Sequence, residues 1–406
     1  MAGLVTGRLV GWRATEFGAS PAAAAPPPPA LSVRAHADPV RALCFAAGGA
    51  TLYSACAAGT LVALDTATGR LSGRLVGAAA AGAPVTRLAA AGPAPGSGPP
   101  TPGGPAPFPA GSFLAGDEDG GVVLWDPRSP VPALAVRGVH EAGCDVTALL
   151  AAPAHGAALS AGGDGVLALT DLRTGRVAAR SDPDEDEVSC LALARGGRKV
   201  VSGSTGGVVG LWSWGYWGGC SDRWPLPRPG GCGGGGGRSS AAAASASSRP
   251  ALEGLARLPG VLGLGDDALV AACGDGGLRL LGILPTGVAV TVPGAHGGGG
   301  AAGSARGVRP LEGVAVGNTA GPASGAAPPP IVATIAMACR ELRAWDGSAL
   351  ARAAGAAGGM VSGAEAARRK RRAKGEEDSE DEDGEEGGGG ARPAAKARGN
   401  FFADLL

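Results

Sequence analysis

Gly116-Asp117-Glu118-Asp119-Gly120-Gly121-Val122-Val123-Leu124-Trp125-Asp126 reads as the end of one strand, an acidic glycine turn, and a second strand closing on Trp-Asp. Asp119-Gly120 supplies the reversal, because glycine accepts the positive φ that a two-residue hairpin asks for. Val122 to Trp125 is apolar at every position. A strand with one solvated face would alternate, so this pattern predicts burial on both faces.

The pattern recurs. Its copies are Gly7-Arg-Leu-Val-Gly-Trp12, Gly59-Thr-Leu-Val-Ala-Leu-Asp65, Gly120 to Asp126, Gly165-Val-Leu-Ala-Leu-Thr-Asp171, Gly207-Val-Val-Gly-Leu-Trp212 and Gly276-Gly-Leu-Arg-Leu-Leu281. A seventh, Arg340-Glu-Leu-Arg-Ala-Trp-Asp346, carries Arg in place of the first Gly. Gly165 and Gly207 lie 42 residues apart, and Gly120 and Gly165 lie 45 apart. A four-stranded propeller blade repeats every ~40–45 residues, and its neighbours bury both faces of its strands. On these residues the chain resembles WD-repeat proteins. The resemblance implies an all-β, seven-bladed propeller.

Composition limits the alternatives. The chain has 406 residues, with 35 Lys+Arg against 35 Asp+Glu, so no global charge draws it to nucleic acid or membrane. Gly 75 and Pro 33 together exceed a quarter of the chain, a level that signals disorder when aperiodic. Here the excess falls in inserts, about 20–30, 92–111, 221–250, 294–307 and 317–330, between repeats that keep their apolar strands. The propeller is expected over 1–346, followed by a disordered tail over 347–406. Eight cysteines are scattered without a C-x-x-C pair, and only four histidines are present. No zinc site or cofactor is therefore expected. Without a signal peptide or long apolar run, the chain is expected to be soluble, with reduced thiols and no membrane association.

The first repeat starts late. Only six residues precede Gly7, so the first and second strands of that blade are expected to be missing or crudely replaced by Met1 to Thr6. An incomplete blade leaves strand edges unpaired. A truncated start explains this best, with a genuinely open ring as the alternative. The most regular unit runs from His140 to Arg176. Blades of the WD-repeat type are often tied by a His, a Ser or Thr, an Asp and a Trp. His140, Ser160 and Asp164 match three of these, with Leu169 in the place of the Trp.

No phosphate loop, G-x-S-x-G or H-E-x-x-H is present, so a non-catalytic chain is expected. Trp212-Ser-Trp-Gly-Tyr-Trp-Gly-Gly-Cys-Ser-Asp-Arg-Trp224 holds four of the seven tryptophans. It reads as two strands packing between blades, or as an aromatic patch for a partner. With Leu281-Gly-Ile-Leu-Pro285 and the terminal Asn400-Phe-Phe-Ala-Asp-Leu-Leu406, this segment is similar to the WD repeat-containing protein 55 family. That resemblance implies a monomeric scaffold of the nucleus and nucleolus. It would act in ribosomal RNA processing and large-subunit biogenesis, with pre-ribosome assembly factors as partners.

The tail adds candidates of its own. Arg368, Arg369, Lys370, Arg371 and Arg372 form a basic cluster suited to nuclear import. Ser379 lies within the acidic run 376–386 and suits an acid-directed kinase. Phe401, Phe402, Leu405 and Leu406 have the spacing of one helical face and suit docking in a partner's groove. Residues 365–406 hold nine Lys+Arg and eleven Asp+Glu, which leaves the rest nearly neutral. RNA contact is therefore expected to be local or made through other proteins. A second function class comes from Trp125, Asp126 and Arg128. They fit the W-D-x-R pattern by which some WD-repeat proteins dock on the adaptor of cullin-4 ubiquitin ligases, and Thr170-Asp-Leu-Arg173 is a partial second copy.

Overall fold

The recurring glycine earns its place by backbone geometry. In the computed structural model Gly7, Gly59, Gly120, Gly165, Gly207 and Gly276 all have φ between 71° and 76°. L-residues with a Cβ rarely adopt that region. Each of these glycines donates its N–H to the carbonyl three residues back, as in Gly120 to Asp117 and Gly165 to Gly162. Asp117 N in turn bonds Gly121 O. The loop therefore holds three residues, Glu118 to Gly120, rather than the expected two. A type I turn followed by a left-handed glycine is the usual three-residue solution.

The structure describes residues 2–12, 28–46, 48–75, 83–92, 108–109, 111–129, 131–227, 249–258, 268–283, 286–292, 311, 313–318, 330–336, 341–346 and 350. Their strands form seven antiparallel sheets. Sheet 1 holds β1 (Ala2–Gly3), β2 (Arg8–Gly11) and β3 (Leu31–Arg34). Sheet 2 holds β4 (Val40–Phe45), β5 (Thr51–Cys56), β6 (Leu61–Asp65) and β7 (Leu71–Leu75). Sheet 3 holds β8 (Val85–Ala90), β9 (Phe113–Asp117), β10 (Val122–Trp125) and β11 (Leu134–Val136). Sheet 4 holds β12 (Val146–Ala152), β13 (Ala157–Gly162), β14 (Leu167–Asp171) and β15 (Arg176–Arg180). Sheet 5 holds β16 (Val188–Ala194), β17 (Lys199–Ser204), β18 (Val208–Ser213) and β19 (Asp222–Pro225). Sheet 6 holds β20 (Leu252–Leu258), β21 (Ala268–Cys273), β22 (Leu278–Ile283) and β23 (Thr286–Val292). Sheet 7 holds β24 (Gly313–Asn318), β25 (Pro330–Ala336) and β26 (Glu341–Asp346).

Inner strands of successive sheets pack side by side, from β4 through β8, β12, β16 and β20 to β24. Burial follows this order. Second strands such as β13 are buried at every residue, whereas the outer strands β3, β15 and β19 alternate. Val122 to Trp125 is buried throughout, as its unbroken apolar run predicts. Phe113 lies between Tyr53 and Trp125, with ring centroids 4.1 Å and 6.4 Å away. Sheets 2 and 3 therefore share an aromatic core.

Two devices join neighbouring sheets. One is a small residue near the end of the second strand in sheets 1 to 6, occupied by Gly3, Ala55, Gly116, Ala161, Gly203 and Ala272. A Cβ on Gly116 would lie 2.5 Å from Val146 Cγ1, the first inner-strand residue of the next sheet. The other is a hydroxyl at a β-bulge. Thr86 Oγ1 donates to Val146 O at 2.7 Å, Thr147 Oγ1 to Val188 O at 2.5 Å, and Ser189 Oγ to Leu252 O. Each bulge lifts one side chain out of register toward the next inner strand.

Three sequence expectations need correction. Ser160 pairs with Ala168 and Ser202 with Gly210, so the residue matching Trp212 is Thr170, not Leu169. In sheet 1 the second strand is replaced by the two residues Ala2 and Gly3, which pair with Val10 and Leu9, as the expectation of a crude replacement within Met1 to Thr6 had it. Among the described residues that sheet lacks only an inner strand. Among the described residues sheet 7 also has three strands, which its repeat did not announce. Finally, β19 lies inside the stretch 221–250 that was expected to be an insert.

Candidate functional site

The turns leaving the third strands are built alike. Asp65, Asp126 and Asp171 occupy one position, and each folds its carboxylate over the turn that follows. Asp65 Oδ1 accepts from Ala67 N at 2.9 Å and Thr68 N at 2.8 Å. Asp171 Oδ1 accepts from Arg173 N at 2.8 Å, and Asp126 Oδ1 from Arg128 N at 3.1 Å. The aspartate of each Trp-Asp-like pair is thus a turn former. Backbone N–H groups hold the Asp65 and Asp171 carboxyls below their ordinary range. The Arg128 side chain does the same for Asp126.

Arg128 is presented to solvent, with its side chain 71% exposed. Its guanidinium grips Asp126 with Nε–Oδ1 at 2.9 Å and Nη2–Oδ2 at 2.7 Å. Arg173 sits on the same turn one sheet later, 78% exposed and only 3.7 Å from Asp171. Trp125 is fully buried. Of the three candidate adaptor-docking residues, then, Trp125 is core, Asp126 is the brace, and Arg128 alone is offered to a partner.

His140, Asp164 and Ser160 come together in sheet 4. His140 Nδ1 lies 3.1 Å from Asp164 Oδ1, and Nε2 lies 2.8 Å from Ser160 Oγ. Burial lowers the His140 pKa despite the aspartate, so the ring is neutral at pH 7. It donates from Nδ1 to the carboxylate and accepts the Ser160 hydroxyl at Nε2. The residue types are those of a hydrolase triad, but Ser160 is 1% exposed within the sheet stack. The set ties the sheet together. Sheet 2 repeats the histidine–serine pair with His36 and Ser54, while Ala58 stands in the place of Asp164 and His36 Nδ1 lies 3.3 Å from Thr60 Oγ1.

The tryptophan-rich segment divides. Trp212 is buried and donates its Nε1 to Ser202 Oγ at 2.9 Å, and Trp217 is also buried. Trp214 is half-buried and Tyr216 is 65% exposed. Trp214 stacks on His155 at 4.0 Å with 16° between ring planes, and meets Trp217 edge-on at 5.5 Å. Its N–H donates to Arg198 O at 2.9 Å. A Cβ on Gly197 would lie 3.9 Å from His155 Nε2. Leu172 N bonds Gly156 O, which brings the Arg173 turn beside His155. One surface therefore gathers His155, Arg173, Arg198, Lys199, Trp214 and Tyr216 from sheets 4 and 5. The sequence marked the tryptophans but not their neighbours, which arrive from loops 15 to 60 residues upstream.

Cys44 and Cys190 are pushed up to about 12 and Cys273 to about 11 by burial, so these thiols are unreactive at neutral pH. Among the described residues no group of three His, Cys, Asp or Glu side chains could hold a metal ion. Nor is any helix there long and apolar enough to cross a membrane. Arg368 to Arg372, Ser379, Phe401, Phe402, Leu405 and Leu406 lie outside the described residues.

No family model matches the chain. It is similar to WD repeat-containing protein 55 of Mus musculus, with 33% identity over 28% of this chain and 29% of that protein. The protein of that name from Arabidopsis thaliana is 29% identical over 43% of this chain and 41% of its own length. The one from Pongo abelii is 28% identical over 47% and 44%. The chain thus spans less than half the length of the curated relatives it matches. Among solved structures, the Cps50 (Swd1) β-propeller domain of Myceliophteria thermophila aligns with a TM-score of 0.53. The alignment covers 84% of this chain and 91% of that domain, at 14% identity, a likeness of fold. The chain has a β-propeller fold, and the curated relatives it is similar to in part carry the name that the Trp212–Trp224 and Leu281–Pro285 stretches pointed to.

Proposed function

We propose, starting from a WD-repeat propeller similar in part to WD repeat-containing protein 55, that this chain is a non-catalytic scaffold. Its place would be nucleolar ribosomal RNA processing and large-subunit biogenesis. Propellers of this type present loops and blade edges to other proteins, and function resides in those surfaces rather than in the fold. The observation that carries the reading is the similarity to relatives of one name from mouse, orangutan and Arabidopsis. The basic cluster Arg368 to Arg372 and the acidic run after it agree with a nuclear and nucleolar address.

Affinity purification of the tagged full chain from nuclear extract tests this. Recovery of large-subunit precursors and assembly factors, abolished by deleting 368–406, is the expected result. Absence of pre-ribosomal material sinks the scaffold reading.

A specific observation favours a second reading, substrate receptor of a cullin-4 ubiquitin ligase. Arg128 and Arg173 project from equivalent turns on consecutive sheets, each beside its own aspartate. Under this reading Arg128→Ala and Arg173→Ala together abolish adaptor capture, while the melting temperature stays within ~2 °C because both side chains are exposed. Unchanged capture removes the reading.

A further inference from the structure

Charge is unevenly shared between the two ends of the sheets, although the chain is neutral overall. One end carries the turns from second to third strands and the links from each outer strand to the next inner one. Glu118, Asp119, Glu141, Asp145, Asp182, Asp184, Glu185, Asp186 and Glu187 lie there, beside Arg41, Arg137, Arg180 and Arg223, of which Arg41 pairs with Glu118 and Arg223 with Asp184. The other end, in sheets 3 to 5, carries Arg128, Arg173, Arg195, Arg198 and Lys199. Its acidic residues in the same sheets are Asp126, gripped by Arg128, Asp171, folded over its own turn, and Asp222.

The basic end is also where aromatic rings are uncovered. Tyr216 is 65% exposed. Gly215, Gly218 and Gly219 around it would meet nothing within 4 Å if they carried a Cβ, so no neighbour crowds the ring. His155 is exposed and caps a stack whose next member is Trp214. Lys199 Nζ is held by Ser213 Oγ at 2.5 Å, which aims its charge at the same loop. Arg195 is the one non-glycine among the described residues with positive φ, at 52°. Cations around exposed flat rings are what single-stranded nucleic acid requires: phosphates pair with the cations and unpaired bases stack on the rings. An acidic protein segment would use the cations and leave the rings idle. A duplex keeps its bases stacked inside.

We propose that the surface formed by His155, Arg173, Arg198, Lys199, Trp214 and Tyr216 binds single-stranded RNA directly, with bases on Tyr216 and His155 and phosphates on Arg173 and Arg198. The choice of RNA rests on the pre-ribosomal reading above; the chemistry of the surface does not. It takes the local contact of the two that the charge balance left open, rather than contact through other proteins.

The test is fluorescence anisotropy of a labelled ~12-nucleotide single-stranded RNA with the purified full chain, since such sites take up to about 16 nucleotides. Tyr216→Ala with His155→Ala is expected to weaken binding about tenfold or more, while Tyr216→Phe, which keeps the ring, binds as the parent does. Arg173→Glu with Arg198→Glu is expected to flatten the salt dependence by about 1.4 in slope, about 0.7 for each phosphate left without its cation. Unchanged far-UV circular dichroism and melting temperature certify the fold, because all four positions are exposed. The proposal is overturned if the parent chain binds no RNA or if both double variants bind as it does. It is equally overturned if duplex RNA or a glutamate-rich peptide competes as well as single strands. The purified chain is used alone, so failure here leaves the scaffold reading to its own experiment, and success does not establish it.

Discussion

Sheets 4 and 5 carry a serine at the same register and tie it to opposite partners. In sheet 4, Ser160 meets His140 and, through it, Asp164. In sheet 5, Ser202 meets Trp212. The position of His140 in sheet 5 is held by Asp184, whose N–H makes the bond to Gly165 O that His140 N makes to Gly120 O. The position of Trp212 in sheet 4 is held by Thr170. Sheet 4 thus keeps three members of one hydrogen-bonded set and sheet 5 keeps two. A buried hydroxyl needs a partner and is largely indifferent to which side supplies it, so either partner suffices.

That comparison can be broken from the sheet 5 side first. Trp212→Ala removes the largest side chain in the set and leaves Ser202 without its donor. It is expected to lower stability by about 4 kcal/mol, read as a shift of the urea midpoint. A loss below about 1 kcal/mol would show that Trp212 does not anchor the sheet.

From the sheet 4 side, His140→Ala is expected to cost about 2 kcal/mol, because Asp164 and Ser160 both lose a partner. Asp164 still accepts from Glu141 N and Val166 N, which keeps the cost below that of a stranded charge. The pH response separates the two sheets further. His140 is lowered from 6.5 chiefly by burial, so the unfolded chain takes up the proton first. The stability this group contributes is complete above about pH 6.5 and declines as pH falls toward the folded value. Melting temperature should therefore drop as pH falls below about 6.5, and the His140→Ala chain should show a smaller drop. Parallel profiles would refute a neutral buried His140.

The smallest effect has the opposite sign. Thr170 Oγ1 is buried without a hydrogen-bond partner in the place a tryptophan takes in sheet 5. Thr170→Val keeps the shape and removes the orphan hydroxyl, so stability should rise by about 1 kcal/mol. A loss on this substitution would mean that the hydroxyl is satisfied in solution.

Legibility followed the range of the interaction. Gly120 and its five equivalents were visible because a left-handed turn is a property of a few consecutive residues. The burial of Val122 to Trp125 was visible because period is local too. The Trp-position mismatch in sheet 4 was not. A one-residue shift between Leu169 and Thr170 leaves the apolar pattern plausible, and only pairing with Ala157 to Ala161 settles it. In the candidate docking motif, the sequence singled out Trp125, Asp126 and Arg128 as a unit. Their exposures then divided them, because Trp125 fills the space behind Phe113.

By itself the sequence determined the repeat, its seven copies and the residues able to turn the chain, since these rest on backbone conformation and side-chain period. Tertiary structure alone decided which small residue faces which neighbour, as Gly116 faces Val146. It also decided which charges share an end and which rings remain open. His155, Arg173, Arg198 and Tyr216 meet because antiparallel strands return their loops to one end and inner strands pack side by side. That meeting depends on how neighbouring sheets stack, a relation that no window of consecutive residues contains.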